Sequence, residues 1–220
     1  MLAQAGSSPT GRAFAATYGD LVLSMQPTVA AARRFSGESK DLAADNGRRP
    51  APVKILSNTA LVLGRSQDEA DERLALLDSL VDPVPGLESL SVLLFHDVTG
   101  YPLDEPLPGI PVTESGSTGV QQHFLALVRE QGLTLRQAMQ VSARAGARAF
   151  SARAFADHVE KYVTTGAADG FNLVFADLGP SLDVLAAEVV PELRRRGLFR
   201  SGYRGATLRE NLGLPRPSSP

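Results

Sequence analysis

Residues Gln4–Ala16 read QAGSSPTGRAFAA. A short apolar run, Leu2–Ala5, ends at Gly6, and Ser7-Ser8-Pro9 leads into an alanine-rich amphipathic segment that runs to Tyr18. The stretch predicts a strand, a tight turn and a helix over Pro9–Tyr18. Ser8 is placed to cap the helix, and Pro9 sits at the first helical position, where a missing N–H costs nothing. A glycine and two serines between a strand and a helix make a ready anion site, because free backbone N–H groups and the positive helix end point at one place. The plainer alternative is a capping serine that binds nothing. Gly6 and Gly11 have P-loop spacing, but Arg12 and Ala13 stand where a P-loop needs Lys and then Ser or Thr.

Working outward, strands and helices alternate. Leu21–Met25 predicts a second strand, Thr28–Ala44 a helix, and Val53–Leu63 a third strand rich in β-branched residues. Ser66 and Glu69 have the spacing of a capping box for a helix reaching about Leu80. Residues 81–117 are less regular, with a helix in LESLSVLLF and a proline- and glycine-rich connection after it. Two helices follow, Val120–Gln131 and Leu135–Arg148, the second opened by a Thr134/Gln137 capping box. Ala152–Thr165 predicts another helix, Phe171–Phe175 a fourth strand, and Leu182–Val190 and Pro191–Arg196 the terminal helices. The order is β-α-β-α-β-α, a helical insertion, then β-α, which is the pattern of a parallel α/β sheet.

The bulk numbers narrow the function classes. The chain has 220 residues, a net charge of −2 and no cysteine. The charge gives no footprint for nucleic acid or for an anionic membrane surface. The absence of cysteine removes disulfides, thiolate zinc sites and a cysteine nucleophile, and fits a cytoplasmic protein. No apolar run reaches the roughly 20 residues of a membrane span. His96, His123 and His158 lack the spacing of a helical metal pair. Asp177 follows the last strand and Gln26 the second, positions where α/β proteins place functional side chains. Asn172, inside the last strand, has a side chain suited to a ligand hydrogen bond. Each of these three equally fits a local structural role. Arg194–Arg196 sit in the last turn of a helix and suit its dipole better than a phosphate.

Three stretches, Gln4–Ala16, GAADGFNLVF at Gly166–Phe175 and VVPELRRRGLFRSGYRGATLRENLGLPRP at Val189–Pro217, closely resemble the nitrilotriacetate monooxygenase component A family. That family includes pristinamycin IIA synthase and dibenzothiophene-sulfone monooxygenase, within the bacterial-luciferase-like flavin monooxygenases. VKILSNTALVLGRSQDEADERL and GLTLRQAM fit the same pattern in the same order. FSARAFADHV departs from the Gly-Thr-Pro-like helix start usual there, and GSTGVQQHF is a loose match.

The resemblance implies a luciferase-like (β/α)8 TIM barrel, of which the chain holds the C-terminal half. The four strands are then strands five to eight. Residues 1–214 form a partial monooxygenase domain with a helical insertion at about 81–150, and 215–220 a tail. A complete barrel takes about 250 residues before insertions, so the first half is expected to be absent. The resemblance further implies reduced FMN supplied by a separate NAD(P)H:flavin reductase, O2 as co-substrate and a small organic substrate. Gly6, Ser7 and Ser8 are implied as contacts to the flavin phosphate; no catalytic residue and no metal ligand is assigned. A half barrel has open edges and an uncovered inner face, so a homo-oligomer or a partner carrying the N-terminal half is expected. A catalytically inactive half barrel that binds phosphate or a partner chain is the alternative.

Overall fold

A computed structural model of the chain describes residues 1–5, 8–48, 53–112 and 118–214. Gly6, Ser7 and the tail 215–220 lie outside the described residues. The first elements are β1 (Ala3–Ala5), α1 (Pro9–Tyr18), β2 (Leu21–Ser24), α2 (Val29–Asp45), β3 (Lys54–Gly64) and α3 (Gln67–Ser79). Then come α4 (Pro83–Leu94), α5 (Thr118–Gln131), α6 (Leu135–Ala143), β4 (Arg148–Ser151), α7 (Ala152–Thr164) and β5 (Gly170–Phe175). The chain closes with α8 (Leu178–Val184), a π-helical turn (Leu185–Val189), α9 (Val190–Arg195) and α10 (Leu208–Asn211). β1, β2 and β3 are consecutive neighbours in one sheet, and β4 and β5 both pair with β3. The chain divides into two compact units. One is Met1–Thr59 with Ser151–Val174 and Leu182–Pro220; the other is Ala60–Phe150 with Phe175–Ser181.

In the first unit the strands run parallel. Ala5 is in register with Leu23, and Leu23 with Leu56. Asp169 fixes β5 on β3: its N–H donates to the Ile55 carbonyl at 2.7 Å, and its carboxylate accepts from the Ile55 N–H at 2.8 Å. Lys40 pairs with the same carboxylate at 3.0 Å. One face of this sheet is apolar and covered. Val22, Val53 and Ile55 are buried with Ala15 and Ala16 of α1 and Phe35 and Ala43 of α2. Because strand side chains alternate, Leu21, Leu23 and Leu56 point to the opposite face, where they are only half-buried. Thr28 caps α2 by accepting from the Ala31 N–H. Arg48 closes α1 by donating to the Gly19 and Ala15 carbonyls at 2.6 and 3.2 Å. Asp20, 7% exposed, accepts from the Leu2 N–H and from Arg209 of α10, each at 2.9 Å, and so ties the start of the chain to its last helix.

The second unit is built on α4, α5 and α6, with Leu90, Leu94, Phe124, Leu135 and Met139 in its core. Gln121, fully buried there, donates to the carbonyls of Leu94 at 2.6 Å and Pro111 at 3.2 Å. The Thr134/Gln137 capping box is present in full. At α3, Ser66 accepts from the Glu69 N–H, but Glu69 reaches one residue further back than a capping box requires, to the N–H of Arg65 at 2.9 Å.

Two elements differ from the sequence reading. α6 ends at Ala143 rather than Arg148. Ala145 and Gly146 take left-handed conformations (φ 52° and 71°), the Gly146 N–H returns to the Val141 carbonyl, and a fifth strand, β4, follows. The terminal helix starts at Leu178, not Leu182, and continues into Pro191 through the π turn. Pro191 has no N–H to give the carbonyl four residues back, and the Val190 N–H bonds instead to Leu185, five residues back.

Candidate functional site

The site suggested by the opening motif lies where β1 hands over to α1. Of its three residues, Ser8 is described; Gly6 and Ser7 are not. Ser8 holds the extended N-cap conformation (φ −62°, ψ 152°), and its Oγ accepts from the Gly11 N–H at 3.1 Å. A hydroxyl that accepts one hydrogen bond still has a proton to donate. Pro9 removes one orphan donor, Gly11 is satisfied by the cap, and the Arg12 N–H goes to the Ser8 carbonyl at 2.9 Å. The Thr10 N–H and hydroxyl then remain, exposed beside Ser8 and with no partner among the described residues. No acidic residue occupies the first turn, so nothing there opposes an anion. A phosphate monoester fits this donor set, held by Ser8, Thr10 and the positive end of α1. Thr10 carries no motif signal; only its place after a proline at the first helical position points to it. Arg12, at the position of the P-loop lysine, is not part of the set. Its Nη2 donates to Glu38 at 2.8 Å, and its guanidinium lies over the Phe35 ring at 5.3 Å.

The other sequence candidates separate. Asn172 of β5 donates through Nδ2 to Asn58 Oδ1 at 2.6 Å. Both point to the sheet face away from the helices, as do Leu56 and Gly170; the Leu56 methyl lies 3.1 Å from where a Gly170 side chain would begin. Asn58 went unmarked in the sequence reading. Its signal is a carboxamide two positions after Leu56, on the strand face that carries Lys54 and Leu56. Gln26 follows β2, half-buried.

Asp177 is structural. It accepts from Arg73 Nε at 2.8 Å and from the Ser181 hydroxyl, while Ser181 Oγ accepts from the Leu63 N–H at 2.8 Å and from Arg73 at 3.1 Å. Arg196 bonds to Glu192, Asp157 and Glu160, each at 2.7 Å. Hydrogen bonds from Arg195 and Arg196 hold the Glu192 carboxyl down at about 2. His96 bonds to the Tyr101 hydroxyl at 3.0 Å, His158 stacks among Phe155, Tyr162 and Phe171, and His123 is half-buried. Among the described residues no group of three or more acidic, His or Cys side chains is placed to hold a metal, and no helix is long and apolar enough to cross a membrane.

β1, β2, β3 and β5, each followed by helix, with a helix N-terminus at the carboxyl end of β1, match the C-terminal half of a luciferase-like (β/α)8 barrel when set beside solved structures. Riboflavin lyase, solved with modified FMN and riboflavin, superposes with a TM-score of 0.74 at 26% identity, over 97% of this chain and 47% of that one. No protein-family model matches. The chain is 36% identical to one of the pristinamycin IIA synthase polypeptides of Streptomyces pristinaespiralis over 99% of its length and 51% of that protein. It is also 36% identical to nitrilotriacetate monooxygenase component A of Aminobacter aminovorans, over 100% of its length and 49% of that protein. The chain is therefore related along its whole length to this family of luciferase-like flavin monooxygenases, and it spans about half the length of the curated relatives it matches.

Proposed function

We propose that this chain forms the phosphate-binding end and part of the substrate face of an FMN-dependent monooxygenase. Reduced flavin from a separate NAD(P)H:flavin reductase, together with O2, would oxygenate a small organic molecule. The observation that carries the reading is the donor set at the start of α1, at the carboxyl end of a parallel strand, in a chain related to monooxygenases over its full length. The reductase is supported by a relative named as "component A".

The redox chemistry belongs to the flavin. The protein's part is positioning. Ser8 fixes the first turn of α1 through its bond to Gly11 and keeps a hydroxyl proton that it can donate. The Thr10 N–H and hydroxyl complete the cradle, and the helix dipole favours the phosphate dianion. The leucine-rich face of β2 and β3 keeps water away from what lies against it. The strands that relatives carry ahead of this region would supply the remaining walls, on the same polypeptide or on another.

Titration with FMN and with riboflavin tests the phosphate role. Ser8→Ala should weaken FMN by about tenfold, as expected for one lost charge-assisted contact, and leave riboflavin, which has no phosphate, unchanged. Equal weakening of both ligands would refute the assignment. The enzymatic reading is tested by O2-dependent NADH consumption coupled to an added reductase and screened against organic substrates. A chain that binds FMN but never exceeds the uncoupled rate would be an inactive half barrel.

A further inference from the structure

We infer that the Asn58–Asn172 pair is a ligand subsite selecting a neutral amide-type group, one with an N–H beside a C=O. Its place in turnover rests on the monooxygenase reading; its binding does not. The two carboxamides are on neighbouring parallel strands, 114 positions apart, and share one hydrogen bond of 2.6 Å. That bond uses one donor and one acceptor. It leaves the Asn58 NH2 and the Asn172 carbonyl side by side, half-buried and with no other partner among the described residues. If both amides are turned over, the pair still offers one donor and one acceptor. This is the complement of a lactam, imide or peptide edge. A carboxylate, which only accepts, would face the Asn172 carbonyl with nothing to give it.

The surroundings agree. One step back along the strands, Ala5, Leu23, Leu56 and Gly170 form a row on the same face, with apolar side chains at its centre and small residues at its ends. A flat apolar body would lie on Leu23 and Leu56 with its polar edge against the amides. Lys54 is the charged residue on this face of β3, and it stands four positions back, about 13 Å away at the rise of an extended strand. The face thus suits an uncharged, largely apolar substrate with an amide edge, and not a polycarboxylate.

The test uses the 220-residue chain with its asparagine side-chain amides labelled for NMR. The probes are 2-quinolinone, a flat lactam; 1-methyl-2-quinolinone, which lacks the N–H; and 2-naphthoate. The lactam should shift the Asn58 and Asn172 side-chain signals saturably, and the other two probes should bind about tenfold more weakly, the value of one unmade hydrogen bond. Asn172→Asp, close in shape, and Asn58→Ser should each remove most of that preference while the backbone spectrum stays folded. Equal affinity for all three probes, or lactam binding that leaves both asparagine signals unmoved, would overturn the subsite. FMN titration of the same samples separates the two readings. Selectivity for the lactam without FMN binding would sustain the subsite and sink the flavin assignment; FMN binding without that selectivity would do the reverse.

Discussion

Replacing Asp20 with alanine should cost about 2 kcal/mol. Its carboxylate is the acceptor for the Leu2 N–H at 2.9 Å and for Arg209 at 2.9 Å. The backbone bond is worth about 1 kcal/mol, and a hydrogen bond between charged groups about 1.5–3. The second figure is cut to about 1, because Arg209 retains 23% exposure and water can replace part of what is lost. For a chain of this length each kcal/mol moves Tm by about 2–4 °C, so the expected shift is about 4–8 °C. A thermal melt followed by far-UV circular dichroism measures the shift and urea unfolding the free-energy loss, and a cycle with Arg209→Met should recover a coupling of about 1 kcal/mol. The pH dependence adds a sign. Burial alone would raise the Asp20 carboxyl, but Arg209, the Leu2 N–H and the chain's amino terminus together hold it below its ordinary value of 3.8. A carboxyl lowered in the folded state stabilises fully above the unfolded pKa and loses that stabilisation as pH falls through the folded one. The difference between wild type and Asp20→Ala should therefore be flat from pH 7 down to about 4 and shrink below that. A variant within about 0.5 kcal/mol of wild type, the range of an ordinary surface substitution, or a cycle with zero coupling, would show that Asp20 does not bind the ends of the chain together.

Two further outcomes follow from contacts of the same kind. Ser181→Ala should destabilise by about 1–3 kcal/mol in urea titration, because it leaves the buried Leu63 N–H without its acceptor. Gly64→Ala should lower Tm measurably: the new methyl would stand 2.6 Å from the Ala70 nitrogen and 2.7 Å from the Ser66 carbonyl, both backbone atoms that cannot yield cheaply, and overpacking of this kind costs about 1–3 kcal/mol.

Much of the alternation was legible because its signals are local. Ser8 and Pro9 announce α1, and Thr134 and Gln137 announce α6, through contacts made within one turn. β4 was hidden because GARAF lies in an alanine-rich stretch with strong helix propensity, interrupted by a single glycine; pairing with β3, which periodicity cannot report, makes it a strand. The site was legible to the same depth. The position of Asp177 after the last strand drew notice, but whether it serves a ligand or the fold depends on Arg73, 104 residues away. The pairing of Asn172 with Asn58 is likewise a fact of register.

The same two strands explain why the covered and uncovered faces carry such different residues. Val53, just ahead of β3, and Ile55 within it pack with residues of α1 and α2 and are buried, so only volume matters there and the residues are β-branched. Their neighbours Lys54, Leu56 and Asn58 on the other face are only half-buried, yet two of the three are not what a solvent-facing strand would choose. A leucine row is costly to leave in water, and a carboxamide pair gains little there over ordinary hydration. Both choices become favourable together only if that face is covered by something largely apolar with a small polar edge. The inward row of this sheet is thus better explained by an occupant than by the stability of the chain that carries it.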